Sequence, residues 1–199
     1  MKAKQLYIFD FDGTLADTLD LCFMCFRETF LKYNNQYLSN AEIASHFGGS
    51  EQQIIEKIVQ GSAERKQQAV EFFYQLYTAN HHLFATCPAK IYQMLQQLKQ
   101  QQKQLAVFTG KGRRSLDYSL QALDLTDYFD FTLCDDDITH SKPHPEGIVK
   151  ILDHFQLPAE QAVFFGDSLA DVQSGNAAGV ETHKIEWISD PHSPIALQI

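Results

Sequence analysis

A short run of apolar residues near the start of the chain ends abruptly in two carboxylates, and this stretch constrains the fold most. Residues 6–9 read Leu-Tyr-Ile-Phe; Asp10 and Asp12 follow, and then a glycine and Thr14. An unbroken apolar run of this length is typical of a strand that is covered on both faces, as in a parallel sheet. In open α/β sheets, ligands bind beyond the carboxyl ends of the strands, so the stretch predicts functional groups at such an end.

Taken alone, the two carboxylates have two interpretations. Side chains two residues apart on an extended chain point to the same side, and the like charges of Asp10 and Asp12 disfavour joint ionisation. A divalent cation such as Mg²⁺, which prefers oxygen ligands, would relieve that repulsion. Alternatively, both are turn residues at a strand end, because Asp-Gly is a common turn signal. The rest of the chain decides between the two.

The size and charge of the chain exclude several classes of protein. Its 199 residues suffice for one large domain, or a domain with a modest insertion, with an ordinary apolar core. A net charge of −9, from 25 acids against 16 bases, offers no basic surface for a nucleic acid. We see no signal peptide and no stretch long enough to span a bilayer, so we expect a cytoplasmic protein without a membrane partner.

The apolar residues after Thr14 recur at intervals of three and four, which predicts helices. We expect four helices and no strands within residues 16–85, the second of them beginning with a capping box formed by Ser39 and Glu42. The block is large enough to be a small helical domain of its own. Inserted after the first strand, it should lie over the acids at the sheet edge as a lid.

From residue 87 onward, predicted helices and strands alternate, which indicates a parallel sheet with helices on both faces. The further strands are predicted at residues 105–108, 131–134, 162–165 and about 182–187. The expected fold is therefore α/β, a doubly wound parallel sheet with an inserted small helical-bundle domain. Its expected division is a core of residues 1–15 and 86–199 and a helical domain of residues 16–85.

Polar clusters follow four of the predicted strands. They are Asp10 with Asp12, Thr109 with Gly110 and Lys111, Lys142, and Asp167 with Asp171. This set suits phosphoryl transfer, whose transition state carries charge on oxygens and needs positioning and positive charge. A carboxylate can attack to form an aspartyl-phosphate, while a second acid moves the proton. Mg²⁺ can offset the anionic repulsion, and a lysine and a threonine hydroxyl can hold phosphoryl oxygens.

These clusters resemble, in order and spacing, the four motifs of the haloacid dehalogenase superfamily. The matching stretches are Asp10-Phe-Asp12-Gly-Thr14, Thr109, Lys142-Pro143 and Gly166-Asp167-Ser-Leu-Ala-Asp171. The helical insertion after the first motif is similar to the cap of the phosphoglycolate phosphatase-like branch. The resemblance covers nearly the whole chain.

The resemblance implies a role for each motif residue. Asp10 would be the nucleophile and Asp12 the general acid and base. Thr109 would bind the phosphoryl group, and Lys142 would steady nucleophile and phosphate. From the residues themselves, Gly110, through its amide, and Lys111 are further candidates to bind phosphate or substrate. Mg²⁺ would be held by Asp10, Asp167 and the backbone carbonyl of Asp12, with Asp171 as a further ligand or as the partner of one.

The resemblance further implies an Mg²⁺-dependent phosphatase that acts on a small phosphorylated metabolite through an aspartyl-phosphate. The candidate substrates are phosphoglycolate-like or pyrophosphate-like anions. Asp12 argues against the dehalogenase and phosphonate-cleaving branches, which lack an acid at that place. A sugar-phosphate mutase similar to β-phosphoglucomutase is the enzymatic alternative, and a phospho-accepting signalling domain is the non-enzymatic one. A monomer or weak homodimer is expected.

Two stretches keep two interpretations each. Lys111 and Arg113 are candidates to bind a carboxylate or second phosphate on the leaving group, or they belong to a solvated loop at a helix start. His46–Ser50 lies where related caps carry a substrate-specificity loop, or it is a plain turn between helices.

Further polar residues are predicted to be structural. We expect at least two of the acids at residues 135–137 to lie in a surface turn, with only Asp135 or Asp136 near the metal site. The four cysteines are expected to be buried thiols, although Cys22 and Cys25 have the spacing of a redox pair. No ligand partner is apparent for the histidines at positions 81, 82, 140 and 144.

Overall fold

A computed structural model describes residues 4–190 and residue 195 of the chain. Its five strands are β1 (Leu6–Phe9), β2 (Gln104–Phe108), β3 (Phe131–Leu133), β4 (Ala162–Gly166) and β5 (Glu181–Lys184). They form one sheet in the order β3-β2-β1-β4-β5, and every pairing is parallel. The predicted parallel sheet is thus confirmed.

Eight α-helices accompany the sheet within the described residues, besides three short 3-10 helices. They are α1 (Leu19–Asn34), α2 (Asn40–Ala44), α3 (Glu51–Ile58), α4 (Ala63–Phe84), α5 (Ala89–Gln100), α6 (Arg113–Ala122), α7 (Glu146–Phe155) and α8 (Leu169–Ala177). The predicted capping box at the start of α2 is confirmed, because Ser39 N donates to Glu42 Oε2 (2.8 Å) and Glu42 N donates to Ser39 Oγ (3.3 Å). None of these helices has the length and apolar character needed to cross a bilayer.

Strand β1 is central and completely buried because it pairs with β2 on one side and β4 on the other. Its side chains alternate between two apolar clusters, as a strand's geometry requires. Tyr7 and Phe9 face a cluster built with α5 and α6, whereas Leu6 and Ile8 face a cluster built with α7. Both faces of the sheet are therefore covered, which explains why the run carries no polar residue before Asp10.

The four helices α1–α4 form an insertion between β1 and α5 and share an apolar cluster of their own. Helix α1 packs on α4, and the Phe26 and Phe73 rings meet there with centroids 4.7 Å apart. The two chain segments that connect this insertion to the sheet lie side by side. Asp17 N donates to Thr86 O (2.8 Å), and Thr86 N donates to Asp17 O (3.1 Å). We call this pair of hydrogen bonds the crossing.

The last strand is shorter than predicted. It ends at Lys184 rather than at residue 187, although Ile185 N still donates to Gly166 O (2.9 Å). Ile185 and Trp187 are buried in the cluster that also holds Phe165. The Trp187 indole donates to the backbone carbonyl of Thr14. The apolar pattern at residues 185–187 thus reflects packing of a non-strand segment against the sheet.

The cysteines carry no disulfide. Cys22, Cys25 and Cys134 are buried as predicted, whereas Cys87 is half-buried. Burial raises the pKa of the Cys25 thiol to about 12, with Lys111 acting in the opposite direction. A thiol held in its protonated form is a poor nucleophile, so the redox interpretation of the Cys22–Cys25 spacing finds no support.

Candidate active site

A cleft of about 400 Å³ lies between the carboxyl edge of the sheet and the helical insertion. Its lining includes seven of the eight predicted site residues: Asp10, Asp12, Thr109, Gly110, Lys111, Lys142 and Asp167. The eighth, Asp171, lies directly behind them and is completely buried. The structure therefore brings residues from four separate strand ends into one place.

Asp10 occupies the buried end of the cleft. It follows β1 directly, and its backbone N–H donates to Phe165 O (2.9 Å) of β4, which fixes its position. Lys142 Nζ donates to Asp10 Oδ1 (2.8 Å) and to Asp171 Oδ1 (2.7 Å). One ammonium group thereby holds two carboxylates together.

Burial is the main influence on the pKa of Asp10 and raises it to about 8, although Lys142 acts in the opposite direction. Burial alone would lower the pKa of Lys142. The carboxylates of Asp10 and Asp171 more than compensate and hold it above its ordinary value. The lysine therefore carries a permanent positive charge beside a carboxyl group whose ionisation is costly.

Carboxylate oxygens of Asp10, Asp167 and Asp171 lie within 4.8 Å of one another. Burial, followed by the charge of Asp171, raises the pKa of Asp167 to about 6. Three crowded oxygen ligands with disfavoured joint ionisation fit a small divalent cation such as Mg²⁺. Asp171 is also held from its other side, since Ser168 donates to Asp171 Oδ2 through both its backbone N (3.0 Å) and its Oγ (2.5 Å).

Gly13 is required where the chain turns past this group. Its φ of +77° is a left-handed conformation, and a Cβ at this position would lie 2.5 Å from Asp167 Oδ2. No other residue avoids both the backbone cost and the contact. The glycine of the first motif therefore makes room for a carboxylate of the fourth.

The side chain of Asp12 lies outside the group of three acids. Its Oδ1 accepts from Lys111 Nζ (3.2 Å) and from the hydroxyl of Thr18, the residue that precedes α1. The two acids of the first motif therefore have different partners. That Asp12 contributes a metal ligand, through its backbone carbonyl, stays a prediction.

Thr109 and Gly110 follow β2 at the floor of the cleft. Thr109 is buried, its backbone N donates to Leu133 O (3.1 Å), and its Oγ1 accepts from Lys111 N (3.3 Å). A Cβ on Gly110 would meet nothing within 4 Å, so open space adjoins this turn. The Thr109 hydroxyl and the backbone of Gly110 therefore lie next to open space, an arrangement that suits the binding of an anionic oxygen.

Lys111 is buried rather than solvated. Its Nζ lies 3.2 Å from Asp12 Oδ1, 3.5 Å from Glu51 Oε1 and 4.8 Å from the centre of the Tyr77 ring. It also donates to Cys22 Sγ (3.5 Å). Burial lowers the pKa of Lys111, but the nearby acids, Asp12 first, outweigh this and raise it well above its ordinary value.

Glu51 is the residue that sequence reasoning missed. It begins α3 in the helical insertion, is only 5 % exposed, and reaches across to the sheet side of the cleft. Its Oε2 accepts from Gly112 N (2.5 Å), and its Oε1 accepts from Ser115 Oγ (2.5 Å). An acid in the first turn of a helix is common for electrostatic reasons alone, so only its place after Gly48-Gly49-Ser50 hints at another role.

Two interpretations were open for Arg113 and for the His46–Ser50 stretch, and the structure bears on each of them differently. Arg113 is absent from the cleft lining and pairs with Asp117 (3.2 Å) and Asp137, as the solvated-loop interpretation predicts. Phe47, Gly48 and Gly49 line the cleft, so the His46–Ser50 stretch borders the site.

Of the three acids at residues 135–137, only Asp135 lines the cleft, and its Oδ2 accepts from Ser141 Oγ (2.8 Å). Asp136 and Asp137 are exposed, as expected for a surface turn. His140 has a partner after all, since its Nδ1 lies 2.9 Å from Glu146 Oε2, and the His144 ring lies beside it, tilted by 32°, with ring centroids 4.5 Å apart.

Comparison with known proteins agrees with this geometry. The pyrophosphatase PpaX of Oceanobacillus iheyensis is 30% identical over 180 residues, which is 90% of this chain and 82% of that protein. A predicted phosphoglycolate phosphatase from Haemophilus somnus has the same fold, with a TM-score of 0.78 at 22% identity, covering 92% of this chain and 85% of its own. CbbY from Rhodobacter sphaeroides, solved in complex with phosphate, has a TM-score of 0.78 at 21% identity, covering 90% and 84%.

A family model described as haloacid dehalogenase-like hydrolase matches residues 7–185, which include all four motifs and the helical insertion. The resemblance predicted from the motifs is thereby confirmed. The chain belongs to the haloacid dehalogenase-like hydrolase family.

Proposed function

We propose that this hydrolase is an Mg²⁺-dependent phosphatase that acts on a small phosphorylated metabolite through a phosphoaspartate on Asp10. The observation that carries the proposal is the position of Asp10 at the buried end of the cleft. Its carboxylate is held by Lys142 and lies beside Asp167 and Asp171. The names of the similar proteins, a pyrophosphatase and a predicted phosphoglycolate phosphatase, agree with phosphate chemistry.

In the first step, a carboxylate oxygen of Asp10 attacks phosphorus, and the bond from phosphorus to the leaving oxygen breaks. Asp12 donates a proton to that leaving oxygen, and Lys111 and Thr18 hold its carboxyl group in place. Thr109 and Lys142 bind phosphoryl oxygens and balance their charge.

In the second step, water attacks the phosphorus of the phosphoaspartate, and Asp12, now a carboxylate, takes the proton from that water. The bond between phosphorus and Asp10 breaks, which releases phosphate and regenerates the free carboxylate. Asp12 thus ends the first step as the carboxylate that the second step needs, and the second step restores its protonated form.

Asp10, Asp167 and Asp171 would hold the Mg²⁺, together with the backbone carbonyl of Asp12. When bound, the ion supplies positive charge that offsets the repulsion between the anionic nucleophile and the anionic phosphate. The donor set, made of carboxylate and carbonyl oxygens, is the kind that Mg²⁺ prefers.

We further propose that residues 16–85 form a cap over a catalytic core of residues 1–15 and 86–199. The separate apolar cluster of α1–α4 supports a unit that moves as one body, and the crossing supports a hinge at one place. Closure of the cap would exclude water from the phosphoryl group. A cytoplasmic location and a monomer or weak homodimer stay predictions.

The test is hydrolysis of p-nitrophenyl phosphate by the full chain, with Mg²⁺ and then with a chelator. Activity should require the metal and be lost in Asp10→Asn, while Asp117→Asn, an exposed acid outside the cleft, serves as the control. Full activity in Asp10→Asn or in the chelator would refute the proposal.

Two further measurements separate the alternatives. Stoichiometric release of inorganic phosphate from a sugar phosphate excludes a mutase, which would instead interconvert isomers. A phosphorylated enzyme that persists for many minutes would favour a signalling domain over a phosphatase. With Asp12→Ala, mass spectrometry should detect phosphate trapped on Asp10.

A further inference from the structure

The N-terminus of α6 and the ammonium of Lys111 together make a positively polarised place next to the phosphate-binding turn. Helix N-termini favour anions because their first N–H groups are unpaired and the helix dipole points the same way. Lys111 adds a full charge one residue before Gly112, the residue that caps α6. If no group of the protein occupied this place, a second anionic group of a substrate would bind there.

Glu51 of the helical insertion already fills that place. Its carboxylate accepts from Gly112 N and from Ser115 Oγ, both at 2.5 Å, and lies 3.5 Å from Lys111 Nζ. A Cβ on Gly112 would be 2.7 Å from Glu51 Oε2 and 3.0 Å from Tyr74 Oη, so the packing leaves no space for a ligand anion beside it. Asp136 Oδ2 accepts from the next backbone N–H, that of Arg113 (2.8 Å), so carboxylates of the protein itself occupy the start of α6.

The charges that line the cleft also disfavour a second anionic group on the substrate. Its lining carries five carboxylates, at positions 10, 12, 51, 135 and 167, against the two ammonium groups of Lys111 and Lys142. When Asp12 carries the proton that it donates in the first step, the two ammonium groups and one bound divalent cation only balance the other four carboxylates, so no surplus positive charge remains for a second anionic group. Lys111 in addition lies 3.2 Å from Asp12. A leaving group with its own negative charge would find no uncompensated cation here.

One part of the cleft lining forms an apolar wall. Helix α1 contributes Leu19, Phe23 and Phe26 to the lining, and Phe47 and Ile54 extend it. The rings of Phe23 and Phe47 are stacked, with centroids 5.7 Å apart. Phe47 is 44 % exposed, so the outer end of this wall is open to solvent at the rim of the cleft, where the alcohol part of a substrate could enter.

We propose that the cleft is specific for phosphate monoesters of uncharged, apolar alcohols, with Glu51 excluding a second anionic group and the Phe23–Phe47 wall binding the alcohol. This inference rests on the proposed phosphatase function and narrows its substrate class. Phosphoglycolate and pyrophosphate, whose leaving groups carry a carboxylate or a phosphate, are then poor substrates.

The test compares benzyl phosphate with phosphoglycolate, in Mg²⁺, by kcat/KM. Both are esters of primary alcohols, so the basicity of the leaving oxygen is similar and the comparison reports the leaving group's charge and apolarity. We expect the wild-type protein to favour benzyl phosphate by at least about tenfold, which corresponds to roughly 1.4 kcal/mol. A wild-type preference for phosphoglycolate, or for pyrophosphate as a third substrate, overturns the inference.

Glu51→Ala and Glu51→Gln then test the role of the carboxylate. Both should raise the relative kcat/KM for phosphoglycolate, so that the ratio shifts about tenfold toward the bis-anion. Glu71→Gln is the matched control. Glu71 also lies on the helical insertion and pairs with α6, through Arg114 (2.6 Å), but it does not line the cleft. An unchanged ratio in the Glu51 variants, or an equal shift in Glu71→Gln, overturns the role of Glu51.

The design separates failure of this inference from failure of the proposed function. Each ratio is taken on one preparation, so the fraction of folded enzyme cancels. If neither Glu51 variant folds, the wild-type ratio decides.

Phe47→Ala, at an exposed rim position, tests the apolar wall. It should lower kcat/KM for benzyl phosphate about tenfold and change that for phosphoglycolate little. An equal loss for both esters overturns the role of the apolar wall. Absence of Mg²⁺-dependent hydrolysis of every ester refutes the phosphatase itself.

Discussion

The buried group formed by Lys111, Glu51 and Asp12 makes a quantitative prediction about stability. Lys111→Met removes the ammonium but retains most of the side chain's volume. Glu51 and Asp12 then lose their cation, although Glu51 keeps the hydrogen bonds from Gly112 N and Ser115 Oγ. Removing one member of a buried ion pair typically costs about 3–5 kcal/mol. We expect the lower part of that range, about 3 kcal/mol, because those two donors remain.

Glu51→Gln should cost less. Lys111 keeps Asp12 at 3.2 Å and the Tyr77 ring at 4.8 Å, so its charge is still compensated. The loss is mainly that of charge-assisted hydrogen bonds, for which about 1–3 kcal/mol is typical. The double variant Lys111→Met with Glu51→Gln removes both charges at once. Its destabilisation should be smaller than the sum of the two single effects by about 1–3 kcal/mol.

Urea unfolding of all four proteins, followed by circular dichroism in a chelator, measures these differences. The chelator keeps metal binding from contributing to the free energy of unfolding. The matched control is the same cycle on Arg114 and Glu71, an exposed pair between α4 and α6, for which a coupling of about 0.5 kcal/mol is expected. Additivity within about 0.5 kcal/mol at Lys111 and Glu51 would refute the reasoning, because it would show that the two groups do not interact.

Three further predictions follow from individual positions. Gly13→Ala should abolish activity and cost about 1–2 kcal/mol in urea unfolding, because its φ is +77° and the new Cβ would lie 2.5 Å from Asp167. Burial lowers the pKa of His81 below 6.5, so the folded state binds fewer protons than the unfolded state, and stability should fall as pH decreases below 6.5; His81→Gln should flatten that decline. Saturating Mg²⁺ should raise the melting temperature of the wild-type protein, by an amount equivalent to about 2.7 kcal/mol at 100 times the dissociation constant, and should not do so in Asp167→Asn.

The first two of these predictions have a control substitution in the chain, and the third has a control metal. Gly179→Ala introduces a side chain at a φ of +73° with only Ala159 nearby, at 3.8 Å, so it should cost stability without loss of activity. Gln75→Ala, at an exposed position of the same helix α4, should leave the acid profile unchanged. Ca²⁺ in place of Mg²⁺ tests the size preference of the oxygen ligands. An active Gly13→Ala, a steep acid decline in His81→Gln, or an equal Mg²⁺ effect in Asp167→Asn would contradict the respective prediction.

Local patterns in the sequence were enough to predict the sheet and the positions of the motif residues. The apolar run of β1 had to be covered on both faces, and polar residues at the ends of parallel strands meet at one edge of the sheet. Asp10, Thr109, Lys142 and Asp167 are therefore foreseeable as neighbours even though more than 150 residues separate the first from the last.

Contacts across the cleft could not be predicted in this way. Glu51 looks like an ordinary acid at a helix start, and its contacts with Gly112 and Ser115 depend on how the helical insertion packs on α6. Lys111 and Arg113 are two residues apart, the first in the turn after β2 and the second at the start of α6, yet one is buried against carboxylates and the other lies in surface ion pairs. Tertiary packing decides this difference, and their nearly adjacent places in the sequence do not reveal it.

The crossing has a consequence for how the protein can be altered. The chain leaves the sheet at Asp17 and returns at Thr86, and a pair of backbone hydrogen bonds joins these two positions. We expect that a helical block exchanged at these two residues would keep the register of the sheet, because both ends stay in place. The side-chain contacts between the insertion and the core would have to be carried over with it, above all that of Thr18 with Asp12. A block that retains Thr18 is therefore the one we expect to leave the phosphate chemistry of the core intact.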